Sequence, residues 1–163
     1  MIYSNKFNNE EKQALRKLQK DLRWSDYLLD SLIACIGFIS DFDSKYRNSL
    51  PISRAGGYMG LTPKQCKKLK LSTDKLISMA STEQIALMYK LLSPHQSFVQ
   101  RPIDILMIFL GLDVRKSDSN SNCFVSELQY KPKYKKLLYL PKSKVEEDLN
   151  KFFEEGKYDK SKL

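Results

Sequence analysis

The side chains that could move a proton or hold an ion are few and scattered along this chain. Asp41 and Asp43 stand two residues apart behind an apolar run that closes with Ile39. A carboxyl held in apolar surroundings stays protonated and can act as general acid and then as base. Glycoside cleavage by retaining or inverting routes needs two carboxyls flanking the bond. A solvated helix end is the simpler reading of this pair. His95 is the one histidine, and no Ser, Cys or Asp stands with it in a recognisable motif. It therefore supports neither a triad nor a metal site. Cys35, Cys66 and Cys123 are 31 and 57 residues apart, which fits no metal motif. Asp118-x-Asn120-x-Asn122 superficially resembles a calcium loop, but Cys123 takes the glycine position and Gln129 that of the bidentate glutamate. No glycine-rich phosphate loop is present, and neither a cofactor nor a metal is expected.

The elements that would carry these groups read as helices. Asn9-Glu10-Glu11 opens the first with an acidic turn that suits the helix dipole, and Leu15, Leu18 and Leu22 give it an apolar stripe. Lys12, Arg16, Lys17, Lys20 and Arg23 cover much of its remainder, as a solvated face or a basic docking face. Ser25 is the expected N-cap of a second helix, apolar at Leu28, Leu29, Leu32, Ile33, Ile36 and Ile39, with Gly37 inside it as a point of close packing or a bend. Gly56-Gly57 reads as a tight turn, and Pro63 as the first turn of a short helix. Thr73-Asp74 starts another. Ser81-x-x-Gln84 reads as a capping box before Ile85, Leu87, Met88, Leu91 and Leu92. Pro102 opens an apolar helix from Ile103 to Leu110. Ser143-x-x-Glu146 is a second capping box, whose helix ends near Gly156. No repeat and no hairpin are evident.

Composition bounds the answer. With 163 residues, 42% of them apolar, one domain with a real core is expected. The net charge of +9 favours anionic partners without choosing among nucleic acid, acidic wall polymers and acidic protein faces. Behind Met1-Ile2-Tyr3-Ser4-Asn5-Lys6 no apolar signal region follows, and the longest apolar stretches are too short to span a bilayer. Basic residues and tyrosines alternate from Tyr130 to Lys142. Such a run can track phosphates and stack bases, or lie as an arm along a neighbouring subunit, which is the favoured reading.

Two short patterns carry a resemblance. Ile39-Ser40-Asp41-Phe42-Asp43 resembles the Glu-Ser-x-Phe-Asn/Asp signature of lysozyme-like lytic transglycosylases, and Gly57 to Pro63 resembles the glycine-rich turn that follows it there. Leu71 to Ile85, with Tyr89-Lys90-Leu91-Leu92 behind it, is similar to the next stretch in phage tail-associated transglycosylase domains. The resemblance covers Leu28 to Gly111. It places Ile39 where the family keeps its catalytic glutamate, and an isoleucine donates no proton. Asp41 and Asp43 are the nearest substitutes, one methylene shorter, and Asp41 lies on a different helical face. Ser40, Tyr58, Met59 and Gly60 would line the vestigial cleft. Tyr58 could stack on a sugar, whereas Met59 and Leu61 offer it no hydrogen bond.

The resemblance implies a mostly α, lysozyme-like single domain with a C-terminal extension: a basic helix over 1–24, a helical core over 25–112, and a basic, Tyr-rich extension over 113–163. It implies a non-catalytic structural protein of a bacteriophage particle, in the tail tip or baseplate hub, whose partners are other virion proteins, with peptidoglycan as a second candidate. The expected location is the virion, assembled in the host cytoplasm, in keeping with the missing secretion signal. The alternatives are a peptidoglycan-cleaving enzyme with a relocated acid and a nucleic-acid-binding module.

Overall fold

The computed structural model describes residues 1–47, 55–112, 123–125 and 139–161. The Asp118 to Asn122 segment and the arm from Tyr130 to Leu138 lie outside them. The described chain is mostly α-helical, with helices α1 (Asn9–Leu22), α2 (Asp26–Ser40), α3 (Pro63–Lys68), α4 (Thr73–Ser78), α5 (Ser81–Leu92), α6 (Pro102–Phe109) and α7 (Lys142–Ser161). One departure from the all-helical expectation is an antiparallel pair of three-residue strands, β1 (Cys123–Val125) and β2 (Tyr139–Pro141), in the register Cys123 to Pro141, Phe124 to Leu140 and Val125 to Tyr139. No described helix is long and apolar enough to cross a membrane.

α1 begins at Asn9, where its acidic turn places it, and Asn8 is its N-cap. Asn8 accepts from the Glu11 N–H at 2.8 Å while the Glu11 carboxylate accepts from the Asn8 N–H at 2.8 Å, a reciprocal cap. Leu15, Leu18 and Leu22 are buried as expected and pack on α5. Arg23 ends the helix in a left-handed conformation, φ 57°. Ser25 caps α2 through the Leu28 N–H. From Ser31 to Gly37 every residue of α2 is buried, so this helix has no solvent face there and must be enclosed. α6 covers one side, wholly buried itself, and the Cys35 thiol donates to the Pro102 carbonyl at 3.2 Å. α7 covers another side.

The N-terminal segment and α7 meet through aromatic rings. Tyr3 stacks on Phe152 with centroids 4.9 Å apart and lies 5.0 Å from Phe42, and its hydroxyl donates to the Phe152 carbonyl at 2.7 Å. Two helical glycines make room for this cluster. A Cβ on Gly37 would come within 2.3 Å of the Phe42 ring, and one on Gly156 within 2.4 Å of the Tyr3 ring. Gly37 is therefore a site of close approach within a continuous helix. Gly156 does not end α7, which runs on to Ser161 because the neighbouring ring needs the missing side chain and not a turn. The three segments drawn on the sequence share one buried core, which includes Leu15 of α1, Ile33 of α2 and Leu149 of α7.

Helix propensity and packing predict opposite signs at Gly156. Ala in a helix interior is favoured over Gly by about 1 kcal/mol, whereas overpacking costs about 1–3 kcal/mol. Gly156→Ala should lower the urea midpoint of unfolding, and a raised midpoint would show that Tyr3 does not hold α7 at this distance.

Candidate functional site

The glycine-rich turn is built by its backbone. Gly56 and Leu61 exchange both hydrogen bonds, at 3.0 and 2.9 Å, the Gly60 N–H reaches the Gly57 carbonyl at 3.1 Å, and the Gly57 N–H reaches the Tyr46 carbonyl at 2.8 Å. Gly57 and Gly60 take positive φ, 77° and 60°, which glycine adopts without strain. The turn drives Tyr58 and Met59 into the core.

Tyr58 sits at the centre of a buried polar knot. Its hydroxyl donates to the second oxygen of Glu11 at 2.9 Å, and its N–H donates to the side-chain carbonyl of Gln84 at 3.0 Å. The Gln84 amide donates in turn to the carbonyls of Ser44 at 2.8 Å and Leu76 at 3.0 Å. The Ser81 hydroxyl also bonds within the knot. Five pieces of chain are tied this way: the start of α1, the loop at Ser44, the glycine turn, α4 and the start of α5. The sequence reads Glu11 as part of an acidic first turn and Gln84 as the end of a capping box. Glu11 does cap α1, but it also reaches Tyr58. Gln84 is no cap: Ala80 precedes α5 without a side-chain bond, and the Gln84 amide serves the turn instead. The helix-start pattern and the tertiary role use the same residue types, so spacing alone could not separate them.

The electrostatics oppose acid catalysis by this carboxylate. Burial pushes the Glu11 carboxyl up, but hydrogen bonds from Ser81, the Asn8 N–H and Tyr58 outweigh it and hold the group below the usual glutamate value. A proton donor needs the opposite shift. Burial first, and then the neighbouring Glu11, push the Tyr58 phenol well above its ordinary value, so it stays protonated. The knot is a buried donor–acceptor set in which Glu11 is ionised and Tyr58 protonated.

The residues picked out by the resemblance fall into two groups. Ile39 is wholly buried, and Ser40 turns its hydroxyl back to the Ile36 carbonyl at 2.7 Å, as helical serines do when no other acceptor is near. With Tyr58, Met59 and Gly60 also buried, this set forms core and lines no open surface, so the Tyr58 ring is not presented to a sugar. Asp41 and Asp43 are exposed. Asp41 ends α2 in a left-handed conformation, φ 57°, and Asp43 accepts from the Lys45 N–H at 2.9 Å. Asp41 lies on a cleft of about 460 Å³ whose walls include Lys6, Phe42, Phe152, Glu155 and Tyr158. Glu155 in this cleft was not foreseen, because α7 brings it in from far along the chain.

Other candidates resolve simply. His95 is half-buried on a 3₁₀ turn, Ser93–Phe98. Cys35 and Cys66 are free and buried, and burial pushes both thiols up, away from reactivity. Among the described residues no group of three His, Cys, Asp or Glu could hold a metal ion. The basic face of α1 is partly neutralised, since Arg16 pairs with Asp26 at 2.9 Å and Lys17 with Asp21 at 2.7 Å.

Removing the phenol leaves a buried carboxylate short of a donor, so Tyr58→Phe should cost about 1–3 kcal/mol in chemical denaturation. Glu11 has a lowered value in the folded state, so its contribution is present above the unfolded value and is lost as pH falls through the folded one. The stability gap between the wild type and Glu11→Gln should therefore shrink as pH drops below the ordinary 4.5. A gap that grows on acidification would show that the carboxyl is stored protonated, as a general acid would be.

Comparison with family models, with curated proteins and with solved structures finds no match to this chain.

Proposed function

We propose that this chain is a non-catalytic, lysozyme-derived structural protein of a bacteriophage particle, positioned at the tail tip or baseplate hub. The observation that carries the non-catalytic part is the state of the position where the resembling family keeps its acid. Ile39 is fully buried, and its neighbour Ser40 is engaged with its own helix. Transglycosylation needs a carboxyl that faces the sugar and stays protonated. The one buried carboxylate near the glycine turn, Glu11, is held ionised by its hydrogen bonds. The virion assignment rests on the resemblance to tail-associated domains. A rigid helical body with a basic surface suits a part that is built into an assembly.

The relocated-acid alternative has one observation in its favour. Asp41 and Glu155 share a cleft with Phe42, Phe152 and Tyr158, and aromatic rings beside carboxylates suit sugar binding. Both carboxylates are exposed, without apolar enclosure.

Purified peptidoglycan incubated with the wild type should release no muropeptides by mass spectrometry, and the protein should be a stoichiometric component of purified particles of the virus that encodes it. Release of anhydro-muropeptides that stops in Asp41→Asn or Glu155→Gln would establish the enzyme instead. Absence from the particles would remove the virion assignment. Restoring the family residue should not restore activity: Ile39→Glu places a carboxylate in the core and should cost more than about 3 kcal/mol.

A further inference from the structure

A groove of about 390 Å³ lies between α3, the junction of α5 with the 3₁₀ turn, and the C-terminal end of α6. Leu69, Leu91, Ile108 and Leu112 make its apolar surface, with Lys68 and His95 on its walls. Leu112 remains 41% exposed. Phe98, which ends the neighbouring 3₁₀ turn, is 50% exposed.

Among the described residues that line the groove none is acidic, and Lys68 is cationic. Residues 61–73, 84–103 and 105–112 contain no Asp or Glu, and Asp104 is buried as a cap of α6. Lys64, Lys67, Lys68, Lys70 and Lys90 are all exposed, and none forms an ion pair among the described residues. This differs from α1, where two of the basic residues are paired. Lys64 and Lys68 are four residues apart and so lie along one side of α3, at the edge of the groove. An apolar concavity edged by uncompensated lysines attracts anions and rewards apolar burial at once.

We infer that this groove docks an acidic, amphipathic segment of another protein. Its apolar side chains enter beside Leu91 and Leu112, and its carboxylates meet Lys64 and Lys68. A bare polyanion satisfies the lysines but leaves the leucines in water. A second copy of this chain brings a net charge of +9 against +9. An acidic segment with apolar anchors satisfies both halves of the surface. The groove alone carries this inference, which holds whether or not the chain is a virion component.

The test is a displayed library of short random peptides selected on the full-length chain and counter-selected on the double variant Leu112→Ser, Lys68→Glu. Both substituted side chains are exposed, and a thermal melt checks that the variant folds. The enriched peptides should combine Asp or Glu with two or more large apolar residues. A representative peptide should bind the wild type at least about tenfold more tightly than the variant, the size of a lost anchor plus a lost charge contact. Enrichment equal on both proteins, or a neutral or basic consensus, overturns the inference. So does a DNA duplex that binds more tightly than any selected peptide and is indifferent to Leu112→Ser, which would make the surface a nucleic-acid site.

Discussion

A helix that is apolar on every side cannot rest on a surface, and α2 is such a helix from Ser31 to Gly37. Enclosure of α2 dictates where the other long elements go. α6, itself without a solvent face, lies along one side, and α7 comes back from far along the sequence to close another. The fit is close enough that two helix positions can hold only glycine without something shifting. Protein interiors pack at crystal-like density, so such contacts fix the geometry and do not merely tolerate it.

The apolar enclosure leaves the glycine turn with a polar problem, since its backbone groups enter the core along with Tyr58. The answer is a satisfied network. Gln84 alone serves one N–H of the turn and carbonyls from two other segments, and Glu11 receives Tyr58 while capping its own helix. Such networks are stable only when complete. Here the same residues that could suggest an active site, a buried glutamate beside a tyrosine and a serine, are consumed in holding the turn. Their hydrogen bonds stabilise the carboxylate in its ionised form, the opposite of what a general acid requires.

Much of the helical framework was legible in the sequence because it depends on local signals. Leucine spacing in α1, the Ser25 cap, Pro63 and Pro102 at first turns, and the apolar run of α6 act within a few residues. What was not legible depends on distant partners. Gly156 reads as a helix stop until Tyr3 is placed against it. Gln84 reads as a cap until the glycine turn is folded beneath it. Strands β1 and β2 are three residues each, too short for an alternating pattern to register. At the candidate site, that Ile39 offers no proton was visible in its residue type. The burial of Tyr58 and Met59 was not, because a glycine turn can present its side chains outward or inward with the same sequence. The groove beside Lys68 is assembled from three elements, none of which carries a distinctive motif.

The bond from the Tyr3 hydroxyl to the Phe152 carbonyl joins residues 149 positions apart. On a ribosome, α1 and α2 emerge long before the helix that encloses them. Non-local closure of this kind slows folding, and uncovered apolar surface is what draws nascent chains into aggregates or onto chaperones. α2, with no solvent face from Ser31 to Gly37, waits in that state until α7 has been made. Translation speed and chaperone supply therefore act on α2 before its enclosure is complete.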